Sequence, residues 1–212
     1  MKIQWLGHAC FLLTTESNTR IITDPFDETI GYPLPRIPAD IVTVSHQHFD
    51  HNAVGTVPGN PRVVQDAGEH ILGNIKITGY HSYHDKKQGA QRGKNIIFVV
   101  ETEGLRVCHV GDLGHLPDQG LMEALGRIDV LMIPVGGYFT IDAGEAAELV
   151  RQLSPIYVLP MHYKTPYINL PIAPVTDFLK MFPAFDEKEL LVVNRYNLPR
   201  QTTVVKLSLH VK

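Results

Sequence analysis

Cysteine is scarce in this sequence: there are only two, Cys10 and Cys108, and both lie in short apolar segments. Burial as free thiols is favoured over a disulfide or a metal-binding role at both positions. Long apolar runs are also missing, since none approaches the ~20 residues that cross a bilayer. The N-terminal residues include Gln4, Gly7 and His8 where a secretion signal needs an unbroken apolar stretch, so we expect a cytoplasmic protein.

Basic clusters and several common enzyme motifs are absent as well. The formal net charge is −3 and no Lys/Arg-rich run occurs, which argues against a nucleic-acid partner. No Gly-x-Ser-x-Gly, Gly-x-x-x-x-Gly-Lys-Ser/Thr or Gly-x-Gly-x-x-Gly is present, so serine-nucleophile, phosphate-loop and dinucleotide chemistry lack support. A small-molecule substrate and a homo-oligomer are both compatible with the sequence, whereas a nucleic-acid partner is not expected.

The composition is that of a globular protein, with 44% hydrophobic and 19% charged residues. Short β-prone runs bounded by Gly, Pro, Asn or Asp dominate most of the chain. A helix is predicted after Asp142, where Glu145 completes a capping box, and another after Pro174. The pattern favours one domain, residues 1–212, built from two β-sheets covered by helices.

Metal-capable residues recur directly after apolar, strand-like segments. Four such pairs are residues 41–44 before His46, 75–78 before His81, 107–110 before Asp112, and 156–160 before His162. Loops at strand ends are where functional sites are normally built on a rigid scaffold. If the strands share a direction, these residues converge on one edge of the sheets.

The densest cluster of metal-capable residues is His46-Gln47-His48-Phe49-Asp50-His51. His46 and His48 are two residues apart, so in extended backbone they point to the same side. Asp50 and His51 are adjacent and diverge, so they can face a second ion. Imidazole nitrogen suits Zn²⁺ and carboxylate oxygen can bridge two metals. Composition alone would produce this pattern in roughly one such chain in 600, so chance is a poor explanation.

The pattern His-x-His-x-Asp-His resembles the signature of the metallo-β-lactamase fold superfamily. Five further segments resemble one branch of it: Trp5-Leu6-Gly7-His8-Ala9, Thr23-Asp24-Pro25-Phe26, Gly111-Asp112, Pro134-Val135-Gly136-Gly137-Tyr138-Phe139-Thr140 and Pro160-Met161-His162-Tyr163. That branch contains predicted metal-dependent hydrolases related to ascorbate-6-phosphate lactonase and N-acyl-phosphatidylethanolamine phospholipase D. The resemblance extends from residue 1 to about residue 165.

The resemblance implies an α/β (α+β) fold, a four-layer αββα sandwich with a metal site at one edge of the two sheets. It implies a binuclear site, with His46, His48 and His81 on one ion, Asp50, His51 and His162 on the other, and Asp112 bridging them. Zn²⁺ is the favoured metal, and Mn²⁺, Ni²⁺ or Fe stay open because ligand type alone does not select among them.

Three histidines, in or near this set, have more than one interpretation. His81 and His84 compete for one ligand position, and the resemblance favours His81 because it comes first after the predicted strand. His84 is then expected close to the ligands or facing the substrate. His8 is either part of the site or a packed turn residue, and Asp24 is expected to orient a ligand histidine.

The reaction implied is hydrolysis of a small ester, lactone or phosphodiester by a hydroxide that bridges the two ions. Catalytic roles are expected for Asp112 and Asp50 at the metals, with His84 or His8 as proton donor. Residues 85–94 carry four basic side chains, which suit either an anionic substrate or a solvated loop. A nuclease-type phosphodiesterase of the same fold, or a non-catalytic metal-binding sensor or scaffold, are the alternatives.

Overall fold

Two mixed β-sheets form the interior of the computed structural model, which describes residues 1–210. The strands of the first sheet are β1 (Lys2–Gly7), β2 (Cys10–Thr14), β3 (Arg20–Thr23), β4 (Ile41–Thr43), β5 (Arg62–Val64) and β13 (Leu191–Val192). They lie in the order β13-β1-β2-β3-β4-β5. The strands from β1 to β3 are antiparallel, whereas β3, β4 and β5 run parallel.

The second sheet has eight strands and is also mixed. Its strands are β6 (Gly68–Leu72), β7 (Ile75–Tyr83), β8 (Lys94–Thr102), β9 (Leu105–His109), β10 (Val130–Pro134), β11 (Tyr157–Met161), β12 (Phe185–Lys188) and β14 (Thr203–Leu207). Their spatial order is β12-β14-β11-β10-β9-β8-β7-β6. The strands from β6 to β9 are antiparallel, and the others run parallel to β9.

The α-helices of the described residues are few and connect the parallel strands of the second sheet. They are α1 (Gln119–Leu125), α2 (Ala143–Leu153) and the short α3 (Thr176–Leu179). The predicted sandwich of two sheets with helices is confirmed, although α1 was missed and the helix after Pro174 is only four residues long. Within residues 1–210, no helix has both the length and the apolar character that crossing a lipid bilayer requires.

Strand direction brings six strand ends to the functional edge of the sandwich. In the first sheet β1, β3 and β4 point the same way, and in the second sheet β7, β9 and β11 do so. Each of these strands is followed within three residues by a polar side chain: His8, Asp24, His46, His84, Asp112 or His162. The pairing of the strands therefore determines which side chains can meet.

The two sheets are held together by an apolar core and by a hydrogen bond that crosses it. Phe11 on β2 and Phe98 on β8 are fully buried, and both cysteines are buried free thiols, as predicted. His109 on β9 donates from Nε2 to the Ala9 carbonyl at 2.7 Å, and its ring lies edge-on to Phe11 at 6.2 Å. His109 is thus a structural residue that fixes one sheet against the other.

Helix α2 begins with the capping box that the sequence predicts. The Asp142 side chain accepts from the Glu145 backbone N–H at 2.9 Å, and the Glu145 side chain accepts from the Asp142 backbone N–H at 3.2 Å. These two bonds satisfy N–H groups that the first helical turn leaves unpaired. Buried Ala146, Leu149 and Val150 then form the face that packs on the core.

We expect Asp142→Ala to lower the free energy of unfolding by about 1 kcal/mol, because the first turn of α2 loses its capping acceptor. Urea denaturation of metal-free protein, followed by circular dichroism, measures the change. Gln152→Ala, at an exposed position of the same helix, is the matched control and should alter stability by less than about 0.5 kcal/mol. Equal effects of the two substitutions would contradict the capping role.

Candidate metal centre

The first group of converging side chains consists of His46, His48 and His84. Each offers a ring nitrogen, and these atoms lie within 4.8 Å of one another. His46 Nε2 and His48 Nδ1 are 3.1 Å apart. Two of the three side chains are buried, whereas His48 is exposed. Three imidazole nitrogens converging in this way are typical of a site for a divalent transition metal.

The second group consists of His8, Asp50, His51 and His162, and all four side chains are buried. Their candidate ligand atoms also lie within 4.8 Å of one another. His8 Nε2 donates to Asp50 Oδ2 at 3.1 Å. His162 donates its backbone N–H to the His8 carbonyl at 3.1 Å, and the two rings lie 4.1 Å apart. This backbone bond joins the two sheets at the site itself.

Asp112 lies between the two groups and is buried. Its Oδ2 is 3.1 Å from His84 Nε2 and 4.0 Å from His46 Nε2, both in the first group. The same oxygen is 3.2 Å from His162 Nε2, and Oδ1 is 3.3 Å from His51 Nε2, both in the second group. One carboxylate therefore contacts both sets of nitrogens, which is the position of a bridging ligand.

The place that the sequence assigns to His81 is taken by His84. His81 lies within β7, where it pairs with Ile96, and it is exposed, because antiparallel pairing with β8 extends β7 to Tyr83 rather than ending it at Thr78. His84 is the first residue beyond the true strand end. The predicted end of this strand at Thr78 was therefore wrong, whereas the prediction that a metal ligand follows the strand stays a prediction.

Buried polar atoms without hydrogen-bond partners test whether these residues fit a metal. Within the described residues, His51 Nε2 and Asp112 Oδ1, both of which face the site, are buried and make no hydrogen bond. Leaving such atoms unpaired costs roughly 1–3 kcal/mol each. Because His51 Nε2 and Asp112 Oδ1 face each other at 3.3 Å without a hydrogen bond, a shared ion explains their placement.

The protonation states also suit a cation. Burial lowers the pKa of His46 to about 3 and that of His8 to about 4, so both rings are neutral near pH 7. Burial alone would raise the pKa of Asp112, but the histidines that face it hold that pKa well below its ordinary value. Burial likewise opposes a charge on His51, yet the Asp112 carboxylate raises its pKa. A divalent ion would replace the His51 proton as the positive partner of Asp112.

Asp24 orients two of the histidines from behind. Its Oδ2 accepts from His51 Nδ1 at 2.9 Å and from Ser45 Oγ at 2.5 Å, and its Oδ1 accepts from the Ser45 backbone N–H at 2.8 Å. Ser45 Oγ in turn accepts from His46 Nδ1 at 2.9 Å. Both rings are thereby held with Nε2 toward Asp112, as expected for residues that orient ligands. Asp24 itself has a φ of 39°, a strained value for a non-glycine residue.

Asn95 was missed in the sequence, although it positions Asp112. Its Oδ1 accepts from the Asp112 backbone N–H at 3.0 Å, and its Nδ2 donates to Ser82 Oγ at 2.7 Å and to the Val110 carbonyl at 2.9 Å. Gly111 has a φ of 58°, and a Cβ there would lie 2.3 Å from Asn95 Oδ1. Only glycine fits at this position.

The other polar residues near the site are engaged elsewhere. His115 contacts backbone groups through both ring nitrogens, at 3.3 Å from the Tyr83 N–H and 2.9 Å from the Leu116 carbonyl. Lys164 Nζ donates to the Leu170 carbonyl at 2.9 Å. Tyr163 is buried and stacks on Trp5 at 5.3 Å. Within residues 1–210, none of these three side chains forms a hydrogen bond with a candidate ligand histidine.

Comparison with known proteins agrees with this geometry. Residues 2–162 match the family model described as a β-lactamase superfamily domain. A UPF0173 metal-dependent hydrolase of Pelotomaculum thermopropionicum is 33% identical over 78% of this chain and 85% of its own length. A UPF0173 metal-dependent hydrolase of Methanoculleus marisnigri is 32% identical over 78% of this chain and 82% of its own length.

A solved structure extends the similarity to almost the whole chain. It is the crystal structure of a protein of Thermotoga maritima, described as a candidate Zn-dependent hydrolase of the metallo-β-lactamase superfamily. It is 42% identical, covers 97% of both chains and gives a TM-score of 0.81. The chain therefore belongs to the family described as the β-lactamase superfamily domain. The prediction that it is an enzyme, a metal-dependent hydrolase, is confirmed by these relatives.

The metal content of variants can decide between His84 and His81 as the candidate ligand. We expect His84→Ala to reduce the zinc bound per chain by about one ion, because the first group then retains only two nitrogens. His81→Ala should bind as much zinc as the unaltered protein. Inductively coupled plasma mass spectrometry of dialysed protein measures both, and the reverse result would restore His81 as the ligand.

The orienting role of Asp24 predicts weaker metal binding rather than none. Asp24→Asn should reduce zinc affinity by about 10- to 100-fold, because the amide replaces one of the two acceptor oxygens by an NH2 group that faces hydrogen-bond donors. Competition with a chromogenic chelator measures the affinity. Asp186→Asn, an exposed position on β12, is the matched control, and equal affinities of the two variants would contradict the assignment.

Proposed function

We propose that this chain hydrolyses a small ester, lactone or phosphodiester and uses two divalent metal ions, zinc in the first instance. The observation that carries the proposal is the buried Asp112 carboxylate, which faces two separate groups of ligand atoms at 3.1–4.0 Å. His46, His48 and His84 would hold one ion, and Asp50, His51 and His162 would hold the other. A carboxylate between two such groups suits a binuclear hydrolytic site.

When bound, the metal ions would polarise the carbonyl or phosphoryl oxygen of the substrate and lower the pKa of a water molecule toward ~7. The chain itself supplies the positions of the groups around that reaction. Asp112 fixes the spacing of the two groups, and Asp24 and Asn95 hold the ligands from behind, so little reorganisation is needed when substrate binds.

Asp50 belongs to the second group of candidate ligand atoms and is ionised. Burial alone would raise its pKa, but the hydrogen bond from His8 and the charge on His51 hold that pKa below its ordinary value, which suits a metal ligand rather than a proton acceptor. Asp50 also lines the cavity beside the site, where substrate would enter. His8 donates to Asp50 and is buried behind it, so we assign His8 a positioning role. His84 is then a ligand rather than the proton donor.

A cavity of about 310 Å³ opens over the two groups, and its outer wall is largely apolar. Phe49, Phe139 and Leu170 form that wall, and Phe49 is 55% exposed. Apolar walls exclude water from the reacting groups and bind the hydrocarbon part of a small substrate. The shape and polarity therefore fit a small organic ester or lactone.

The proposal predicts that metal and turnover are lost together. Asp112→Ala should lower zinc content and reduce turnover of a panel of aryl esters, lactones and bis-p-nitrophenyl phosphate by more than about 100-fold, because both groups lose their shared carboxylate. Elemental analysis and absorbance assays on zinc-loaded protein provide the measurements.

Asp186→Ala serves as the surface control and should keep both metal content and turnover. Unchanged turnover in Asp112→Ala with full metal content would overturn the assignment of Asp112. Zinc binding without turnover of any substrate on the panel would favour a metal-binding sensor or scaffold instead.

A further inference from the structure

A second cavity, of about 440 Å³, adjoins the metal centre on the side of His46 and His48. Its remaining polar side chains are Ser45, Gln47, Gln65, His81, Arg92 and Lys94. No Asp or Glu is among the described residues that line it. Cationic groups and amides without a carboxylate form a surface that suits an anion.

The two permanent cations of this cavity have no carboxylate partner. Within residues 1–210, neither Arg92 nor Lys94 forms an ion pair, and the Arg92 guanidinium lies over the Phe139 ring at 5.5 Å. Lys86 in the same segment differs, because it pairs with Glu145 at 2.5 Å. Positive charge is therefore left available at the cavity in a chain whose net charge is −3.

The backbone holds Arg92 at the boundary between the two cavities. Asp85 accepts four backbone N–H groups, including that of Arg92 at 2.7 Å, and the Gly93 carbonyl accepts from the His84 N–H at 3.1 Å. The loop from His84 to Gly93 is thus closed by its own hydrogen bonds, and it places Arg92 beside the candidate metal centre. Arg92 lines both cavities, so a molecule occupying both would pass beside it.

We propose that this second cavity is an oxyanion subsite, in which Arg92, Lys94 and His81 hold an anionic group of the substrate. The inference rests on the proposed function, and it specifies the substrate class. The substrate is an ester, lactone or phosphodiester that carries a separate phosphate, sulfate or carboxylate. Its scissile bond lies over the metal centre and its apolar part against Phe49 and Phe139. His81, which is not placed as a ligand, would act here as a hydrogen-bond donor.

Anion binding to metal-free protein tests the subsite independently of catalysis. Isothermal titration calorimetry would use inorganic phosphate, sulfate and acetate, and the strongest of the three indicates the type of oxyanion. We expect the dissociation constant of that anion to rise at least tenfold in the Arg92→Gln/Lys94→Gln double variant, because charge-assisted hydrogen bonds are lost. His81→Asn should weaken binding less.

Lys87→Gln is the matched control, since Lys87 is exposed on the same loop and lines neither cavity. It should bind the anion as the unaltered protein does. Unchanged zinc content and circular dichroism in the double variant show that its fold is intact. Equal binding by the double variant and the unaltered protein, or no binding of any of the three anions, would overturn the subsite.

A kinetic experiment distinguishes failure of this inference from failure of the proposed function. In zinc-loaded protein, we expect the KM for 4-acetoxybenzenesulfonate to be about tenfold higher in the double variant than in the unaltered protein, and the KM for phenyl acetate to be the same in both. Equal effects on both esters would contradict an anion subsite. Failure of the unaltered protein to cleave any ester, lactone or phosphodiester would contradict the proposed function, while the calorimetric result would still decide the subsite.

Discussion

The buried Asp112 carboxylate is the constraint on which the rest of the site depends. An ionised carboxylate in a protein interior is tolerated only when cationic or hydrogen-bonding partners surround it. Here the partners come from both sheets, because His46 and His51 follow β4 whereas His84 and His162 follow β7 and β11. The placement of this one charge therefore depends on how the two sheets pack. The apolar core between the sheets supplies the rigidity that keeps the partners of Asp112 in position.

The site also carries conformational strain. His8, Asp24 and His162 all have positive φ angles, of 51°, 39° and 51°, in the region that non-glycine residues rarely occupy. Such conformations cost on the order of 1–3 kcal/mol each and persist only where neighbouring interactions hold them. The hydrogen bonds of Asp24 to Ser45 and His51, and the backbone bond from His162 to His8, are the interactions that do so. These strained backbone conformations lower local stability at the strand ends, and they bring the three side chains together.

Much of this arrangement could be predicted from the sequence, and the failures have physical reasons. The histidine cluster at residues 46–51 and the capping box at Asp142 are local patterns, so composition and spacing were sufficient to find them. No local pattern marks the end of β7, because the residues up to Tyr83 belong to the strand only through their pairing with β8. Asn95 likewise contacts Asp112 across 17 residues of chain, and no pattern in the surrounding segment marks an asparagine that orients a carboxylate.

Both groups of ligand atoms draw on distant parts of the chain. The first group needs His84 in addition to the residues at 46–48, and the second needs His162, which lies on the other sheet from its partners. Neither group is complete in any early segment of the polypeptide. The second group can therefore form only once β11 has packed beside the strands that lead to His8 and His51. A complete set of candidate ligand atoms consequently reports that both sheets have folded against each other.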